Sequence, residues 1–396
     1  MFNPICIDDH LIDFSEEAEH VGVVRSSTQG NIPHLMNRIC SHRKAMGAAL
    51  SSGVAQKSRA NPLVGLKLEK VYGSPVLLSG VASLVLSGSE TSMLDKHLKD
   101  TYLNIQKLHK KTPDSVVYFL GGSLPGEAVI HLRMLTLFGM VTRLQDDPLK
   151  IHARNVLITA KSSSKSWFCQ LRNICLQYQL PHPIIILDSP PSRDAFKKLI
   201  KSRVVDYWER KLRGEASLLP SLVYFKPEFM SLSKPHPIWT TAGSNPYKVS
   251  KAIQQARFLS GRYRSKYLSR HWTNSKEGYC LSPTCSNELE NVEHILIHCG
   301  AYTECKRRLY SLWLSSPNPI VKKLVIEAFS NEIEYLLQFI IDCSVLPSVI
   351  RAVQAHGPGI LDDLFYLTRT WCFSVHRQRM KMLGRWNLQE MDIFSL

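Results

Sequence analysis

Four residues within a stretch of twenty have donor types suited to a single metal ion: Cys280-x4-Cys285-x8-His294-x4-Cys299. Thiolate and imidazole donors in closely spaced pairs are the signature of tetrahedral zinc. The first pair brackets Leu281-Ser282-Pro283-Thr284, a turn that can fold both thiolates toward one ion. The second pair is expected on a short helix beginning at about Glu288. His294 and Cys299 lie five apart, some 140° round an ideal helix at about 100° per residue. The helix is therefore expected to end between them, with Gly300 as its stop. His298, four residues from His294 on the same face, is a rival ligand. Four ligands leave no open coordination position, so the expectation is a structural zinc.

Just upstream, Lys251 to Trp272 holds six Lys or Arg and no Asp or Glu. Arg257, Arg262, Arg264, Lys266 and Arg270 interleave with Tyr263, Tyr267 and Trp272. Cations neutralise phosphates and interleaved rings can stack on unpaired bases, so these eight are candidate nucleic-acid-binding residues. A solvated helix face with core aromatics is the alternative. Arg377, Arg379 and Arg385 on the final helix are further candidates. The stretch Arg193 to Arg213 carries eight Lys or Arg against three acids, but Phe196, Leu199, Ile200, Val204, Tyr207, Trp208 and Leu212 give it an ordinary core stripe. Ile7-Asp8-Asp9-His10 has the outline of a polymerase's metal-holding aspartates. It follows Cys6-Ile7 instead of an aromatic-small dipeptide, has no third carboxylate upstream, and fits a routine hairpin turn. There is no P-loop, GxGxxG or nucleophile elbow.

The chain that must position these groups has 396 residues, enough for two or three domains. Its formal net charge is +16 and its pI about 9.4, which points to a polyanionic partner, nucleic acid or an acidic membrane surface. Ten cysteines are too sparse for a disulfide scaffold. The longest apolar runs noted, Pro75 to Leu86 and Ala128 to Met140, fall short of a spanning helix. The start MFNPICIDDH is acidic, unlike a signal or transit peptide. The expectation is an intracellular protein, nuclear or cytoplasmic, with no membrane partner.

Pro4 to Val24 alternates as a short hairpin plus a third strand. Helical spacing begins at Ile32, Leu35, Met36 and Ile39. A second helix is expected from about Asn61 to Leu78 with a bend at Pro75, and a third from Ser89 to His109. A helix starting after Ser192 is expected to stop at Gly214, before an irregular proline-rich linker over 215–246. A helix from Tyr247 to Ser260 leads to the Cys/His cluster, and residues 306–396 are helical with breaks at Pro347 and 356–359. The fold class is mainly α with a small N-terminal β element.

In sequence order these pieces resemble the C-terminal part of the reverse transcriptase of non-LTR, LINE-type retrotransposons. Glu19-His20-Val21-Gly22-Val23 resembles the strand closing the polymerase palm. ICSHRKAMGAAL (39–50) resembles the first thumb helix, and PVLLSG (75–80) the thumb's P-x-x-x-Y-G, with Ser79 in place of the usual tyrosine. Cys280, Cys285, His294 and Cys299 resemble the family's CCHC knuckle, although many members have two residues in the first gap. TRTWCFSVHRQRM (368–380) resembles its terminal helix. The resemblance implies a palm remnant over 1–30, a thumb-like helical domain over 31–180, and a basic helix with linker over 181–246. A basic-aromatic helix with the zinc module over 247–305 and a C-terminal helical domain over 306–396 follow. The family's fingers, catalytic aspartates and endonuclease lie upstream of the closing strand. The implied role is therefore non-catalytic: gripping RNA or DNA template, primer or target for a catalytic half carried elsewhere. The alternatives are a zinc-stabilised protein–protein interaction module, or an active polymerase using Asp8 and Asp9.

Overall fold

Alternation near the N-terminus resolves into two separate antiparallel ribbons, in place of one hairpin and a third strand. β1 (Ile5–Ile7) pairs with β2 (His10–Ile12), and β3 (Glu17–His20) with β4 (Val23–Ser26). Gly22, at φ +73°, supplies the left-handed residue that reverses the chain between His20 and Val23. The computed structural model describes residues 5–7, 10–12, 16–20, 22–51, 60–145, 147–161, 164–268, 278–285 and 287–384. Asp8 and Asp9 lie outside them. Beyond the ribbons the described residues are mostly helical.

Two units divide the chain. One comprises residues 1–49, 68–98 and 125–208, the other 50–67, 99–124 and 209–396. In the first, α1 (Ile32–Ser51) buries Leu35, Ile39, His42 and Met46, the spacing of one helical face. Helix α2 (Pro62–Leu68) runs through a π-turn, Glu69–Gly73, into α3 (Ser74–Leu77). The expected bend at Pro75 is absorbed there. The wide turn, closed by Ser74 N–H on the Glu69 carbonyl, lets the chain stay helical around a residue without a donor. Glu69 itself is buried, 3.9 Å from Nε2 of His42.

Helix α4 (Gly88–Gln106) turns Leu94, Leu98 and Leu103 inward; α5 (Asp114–Gly121) and α6 (Gly126–Val141) follow across the Gly/Ser/Pro loop. Then come α7 (Pro148–Thr159), α8 (Trp167–Gln177), α9 (Pro183–Asp188) and α10 (Arg193–Ser217). The last passes through Gly214 without stopping. A helical glycine costs about 1 kcal/mol, and the buried row Phe196, Ile200, Val204, Trp208, Leu212 continues to Ala216 beyond it.

The second unit contains the cluster. Its proline-rich segment is built of short turns, Pro220–Leu222 and Pro227–Phe229, and α11 (Pro237–Thr240). His236 fixes that segment: its backbone N–H donates to the Leu120 carbonyl, and its ring bridges the Ile238 N–H and the buried Asp342 carboxylate. Asn245 caps α12 (Pro246–Leu259), which lies along the final helix. α13 (Thr303–Leu314), α14 (Pro319–Ser330), α15 (Ile333–Asp342), α16 (Pro347–His356) and α17 (Gly359–Met382) follow it, and α5 with most of α2 belongs to this second unit too. Gln255 and Lys251 on α12 donate to Thr368 and Thr370 on α17 at 3.0 and 2.9 Å. Trp313, Phe329, Phe339 and Trp371 form the aromatic centre of this bundle.

A further apolar stretch joins the two runs noted in the sequence. Ile333–His356 is long and apolar enough to cross a membrane by composition, but 61% of its 18-residue apolar window is buried inside the protein. It is also interrupted at Cys343–Val345, which suits a core hairpin of helices.

Candidate metal centre and the basic segment beside it

The loop carrying the first two thiols is a small hairpin. Tyr279 bridges Leu289, Cys280 N–H donates to the Glu288 carbonyl at 2.8 Å, and Glu290 N–H to the Gly278 carbonyl at 2.9 Å. A 3₁₀ turn, Pro283–Cys285, and the left-handed Asn287 at φ +64° close it. At the second pair, the expected helix end gives way to a π-turn, His294–His298. It adds a residue to the turn and brings Cys299 back over His294, with Cys299 N–H on the His294 carbonyl at 2.7 Å. Gly300 is a glycine for another reason than stopping a helix. A Cβ there would lie 2.8 Å from Oγ1 of Thr284, and its N–H faces the Cys285 sulfur.

Cys280, Cys285, His294 and Cys299 are all buried, and their donor atoms lie within 4.8 Å of one another. The sulfur of Cys299 is 3.8 Å from that of Cys280 and 3.7 Å from that of Cys285. Metal–sulfur bonds of about 2.3 Å in a tetrahedron place sulfurs about 3.8 Å apart, so the spacing fits one ion and is far too long for a disulfide. His294 presents its lone pair to the same point. Its Nδ1 is 2.7 Å from a Glu288 carboxylate oxygen, which only accepts, so Nδ1 carries the proton. Nε2 is buried and has no hydrogen-bond partner. A carboxylate orienting a histidine whose other nitrogen is a ligand is the usual outer shell of a metal site.

The electrostatics ask for a cation. Burial pushes the Cys299 thiol up to about 12 and raises Cys280. Burial also works against Cys285, but the Gly300 N–H and Thr284 hydroxyl outweigh it and bring that thiol to about 6. Three thiols in one pocket cannot ionise together without a positive charge among them. Lys306 lies near, donating to the carbonyls of Ile297 at 2.5 Å and Cys299 at 2.9 Å.

His298 is turned away, exposed and ion-paired with Glu293 at 3.1 Å. His298→Ala should therefore leave metal stoichiometry unchanged, whereas His294→Ala should abolish it. Elemental analysis of the two purified variants checks this, and the reverse result would mean the ligand set is wrong.

The basic-aromatic candidates are distributed differently from the expectation. Arg264 is exposed, and Arg257, Arg262, Lys266 and Tyr267 are half-buried. Arg270, Trp272 and Arg385 lie outside the described residues, and Arg377 is exposed on α17. Two candidates point inward. Tyr263 is 4% exposed, stacked on Phe258 with ring centres 3.8 Å apart, and its hydroxyl meets Nδ1 of His376 at 2.8 Å. Its ring is a core element and offers no face to a base. Arg379 is 5% exposed and ion-paired with Glu290 at 2.5 Å. Its charge is spent inside the protein.

Glu290, which no motif singles out, ties the pieces together. Its Oε1 also accepts the Lys266 backbone N–H at 2.8 Å, and its carbonyl the Tyr267 N–H at 3.3 Å. Trp371 on α17 donates to the Leu296 carbonyl at 3.2 Å. The Cys/His loop is thus bonded on one side to the basic segment and on the other to the final helix. An acid between the two pairs of ligands is a visible signal, but it marks Glu288, Glu290 and Glu293 alike and does not say which one faces the histidine. No family model, curated protein or solved structure matches the chain.

Proposed function

We propose that this chain is a non-catalytic nucleic-acid-binding protein in which a structural zinc ion, held by Cys280, Cys285, His294 and Cys299, positions a basic segment against RNA or DNA. The donor set supports zinc over harder cations: three sulfurs and one nitrogen in a tetrahedral arrangement suit it, and with all four positions taken the ion's work is folding. The observation that carries the reading is the position of Glu290. One carboxylate in the metal loop fixes the backbone at Lys266, directly after Arg262 and Arg264 in a stretch without acids. The chain's +16 charge points the same way. The resemblance to the C-terminal part of a LINE-type reverse transcriptase fits this role, with template, primer or target strand as the ligand and a catalytic half carried elsewhere.

Binding of labelled RNA and DNA across a salt series tests the proposal. Arg262→Ala/Arg264→Ala should weaken binding to all sequences alike. The salt slope should flatten by about one to two, roughly one for each phosphate that is no longer neutralised. An intact fold with unchanged affinity and slope would remove this segment from the interface. Binding that does not fall with salt would favour a protein partner instead.

A further inference from the structure

Two exposed rings of the second unit fall outside the stretch that the sequence singles out. Tyr247, at the start of α12, is 55% exposed, and Tyr366, on α17, is 44% exposed. An ammonium group lies by both. Lys251 is 4% exposed, and its Nζ stands 4.4 Å from the centre of the Tyr247 ring and 5.4 Å from that of Tyr366. Tyr247 and Lys251 are four apart on α12 and share a face of it. One ammonium proton goes to Oγ1 of Thr370, which donates its own to the Tyr366 carbonyl at 2.6 Å. An ammonium has three protons to give, and the two rings meet the rest of its charge as cation–π contacts. Each ring spends only part of its surface in this way.

More positive charge gathers beside the rings. Lys248 is exposed in the first turn of α12, where Asn245 caps the N–H groups of Tyr247 and Lys248. Arg369 is buried and gives its protons to neutral groups, the Phe365 and Thr241 carbonyls and the Thr241 hydroxyl. Burial, and then the charges of Arg369 and Lys248, bring Lys251 down to about 8, so it is still charged at neutral pH. The carboxylate that acts on Arg369 is Asp362, exposed one turn before Tyr366. Neither Lys251 nor Arg369 makes an ion pair among the described residues. A buried cation is costly without a counter-charge, and an anion arriving from outside supplies one.

We propose that Tyr247, Lys248, Lys251 and Tyr366 form a contact for single-stranded nucleic acid, in which the open ring surfaces take unpaired bases and the two ammonium groups take the phosphates beside them. The inference rests on the nucleic-acid reading above and deepens it by assigning a second surface and a preference for unpaired strands. Rings interleaved with cations are what such a ligand requires, since every base has a face to stack and every linkage a charge to neutralise. A duplex keeps its bases stacked on one another and gains nothing from the rings. Asp362 repels phosphate on the Tyr366 side, so the backbone is expected to pass by Lys248.

The test uses the full chain, a single strand of mixed sequence and the matching duplex. Tyr247→Leu/Tyr366→Leu should weaken single-strand binding by at least about tenfold and leave duplex binding unchanged. Tyr247→Phe/Tyr366→Phe keeps the rings and should bind both ligands as wild type does. Lys248→Ala should flatten the single-strand salt slope by about 0.7, one phosphate contact. Unchanged single-strand affinity in the leucine pair, or an equal loss on the duplex, would overturn the inference. The broader reading would survive that result if Arg262→Ala/Arg264→Ala still weakened binding. No binding by wild type to either ligand at the lowest salt would overturn both. Should thermal unfolding show that the leucine pair does not fold, photocrosslinking of wild type to an iodouracil-substituted strand decides. Adducts on Tyr247 or Tyr366 support the contact, and adducts confined to other residues overturn it.

Discussion

Cys285→Ser should strip the ion and unfold the loop that holds it. Structural zinc in small modules contributes about 10–16 kcal/mol of apparent binding energy that is at the same time folding energy. Within itself the loop has little regular structure: its described part is a three-residue 3₁₀ turn, one β-bridge and a π-turn around the four donors, tied outward through Glu290 and Leu296. Losing one thiolate leaves two buried thiols and an imidazole with no cation to pair with. The expected result is less than one zinc equivalent by elemental analysis and loss of amide-exchange protection over 278–302. Protection should fall at Lys266 and Tyr267 too, because their N–H groups depend on Glu290. Wild-type protein purified zinc-free under reducing conditions, with those amides fully protected, would sink the zinc assignment.

Arg379→Ala should cost about 3–5 kcal/mol, the usual penalty for stranding a buried charge by removing its partner. The Glu290 side chain is 1% exposed and the Arg379 side chain 6%, so water cannot replace the missing guanidinium. Burial disfavours the Arg379 charge, but the surrounding Tyr263 and Glu290 more than restore it and hold the group firmly protonated. Arg379→Met combined with Glu290→Gln should recover most of the stability, since an apolar and a neutral group can share that space. Urea unfolding of the three proteins measures both. An alanine variant within about 0.5 kcal/mol of wild type, the range of an ordinary surface change, would show the pair to be peripheral.

The candidate ligand cluster is legible because its chemistry is local: four donors of metal-binding type lie within twenty residues. The mainly helical fold is legible from rows such as Leu35, Ile39 and Met46. Tyr263 and Arg379 depart from expectation for a definite reason. The backbone from 262 to 265 is in no helix or strand, so no period assigns its side chains to a face. Arg379 meets Glu290 across 89 residues, a separation over which spacing carries no information. Pro75 reads as a bend and Gly214 as a stop on local propensity alone. A π-turn in one case and a continuing buried row in the other outweigh a preference worth a few kcal/mol at most.

Glu290 also sets an order of events as the chain is made. Cys299, the last donor, is translated 80 residues before Arg379, counting from 299 to 379. At the usual 5–20 residues per second that is roughly 4–16 s of synthesis. The nascent loop can load its ion and bond the Lys266 backbone while its carboxylate still faces water. The guanidinium then arrives on a preassembled acceptor, so the helix Gly359–Met382 docks after the loop has formed and the basic segment is locked only at that later step.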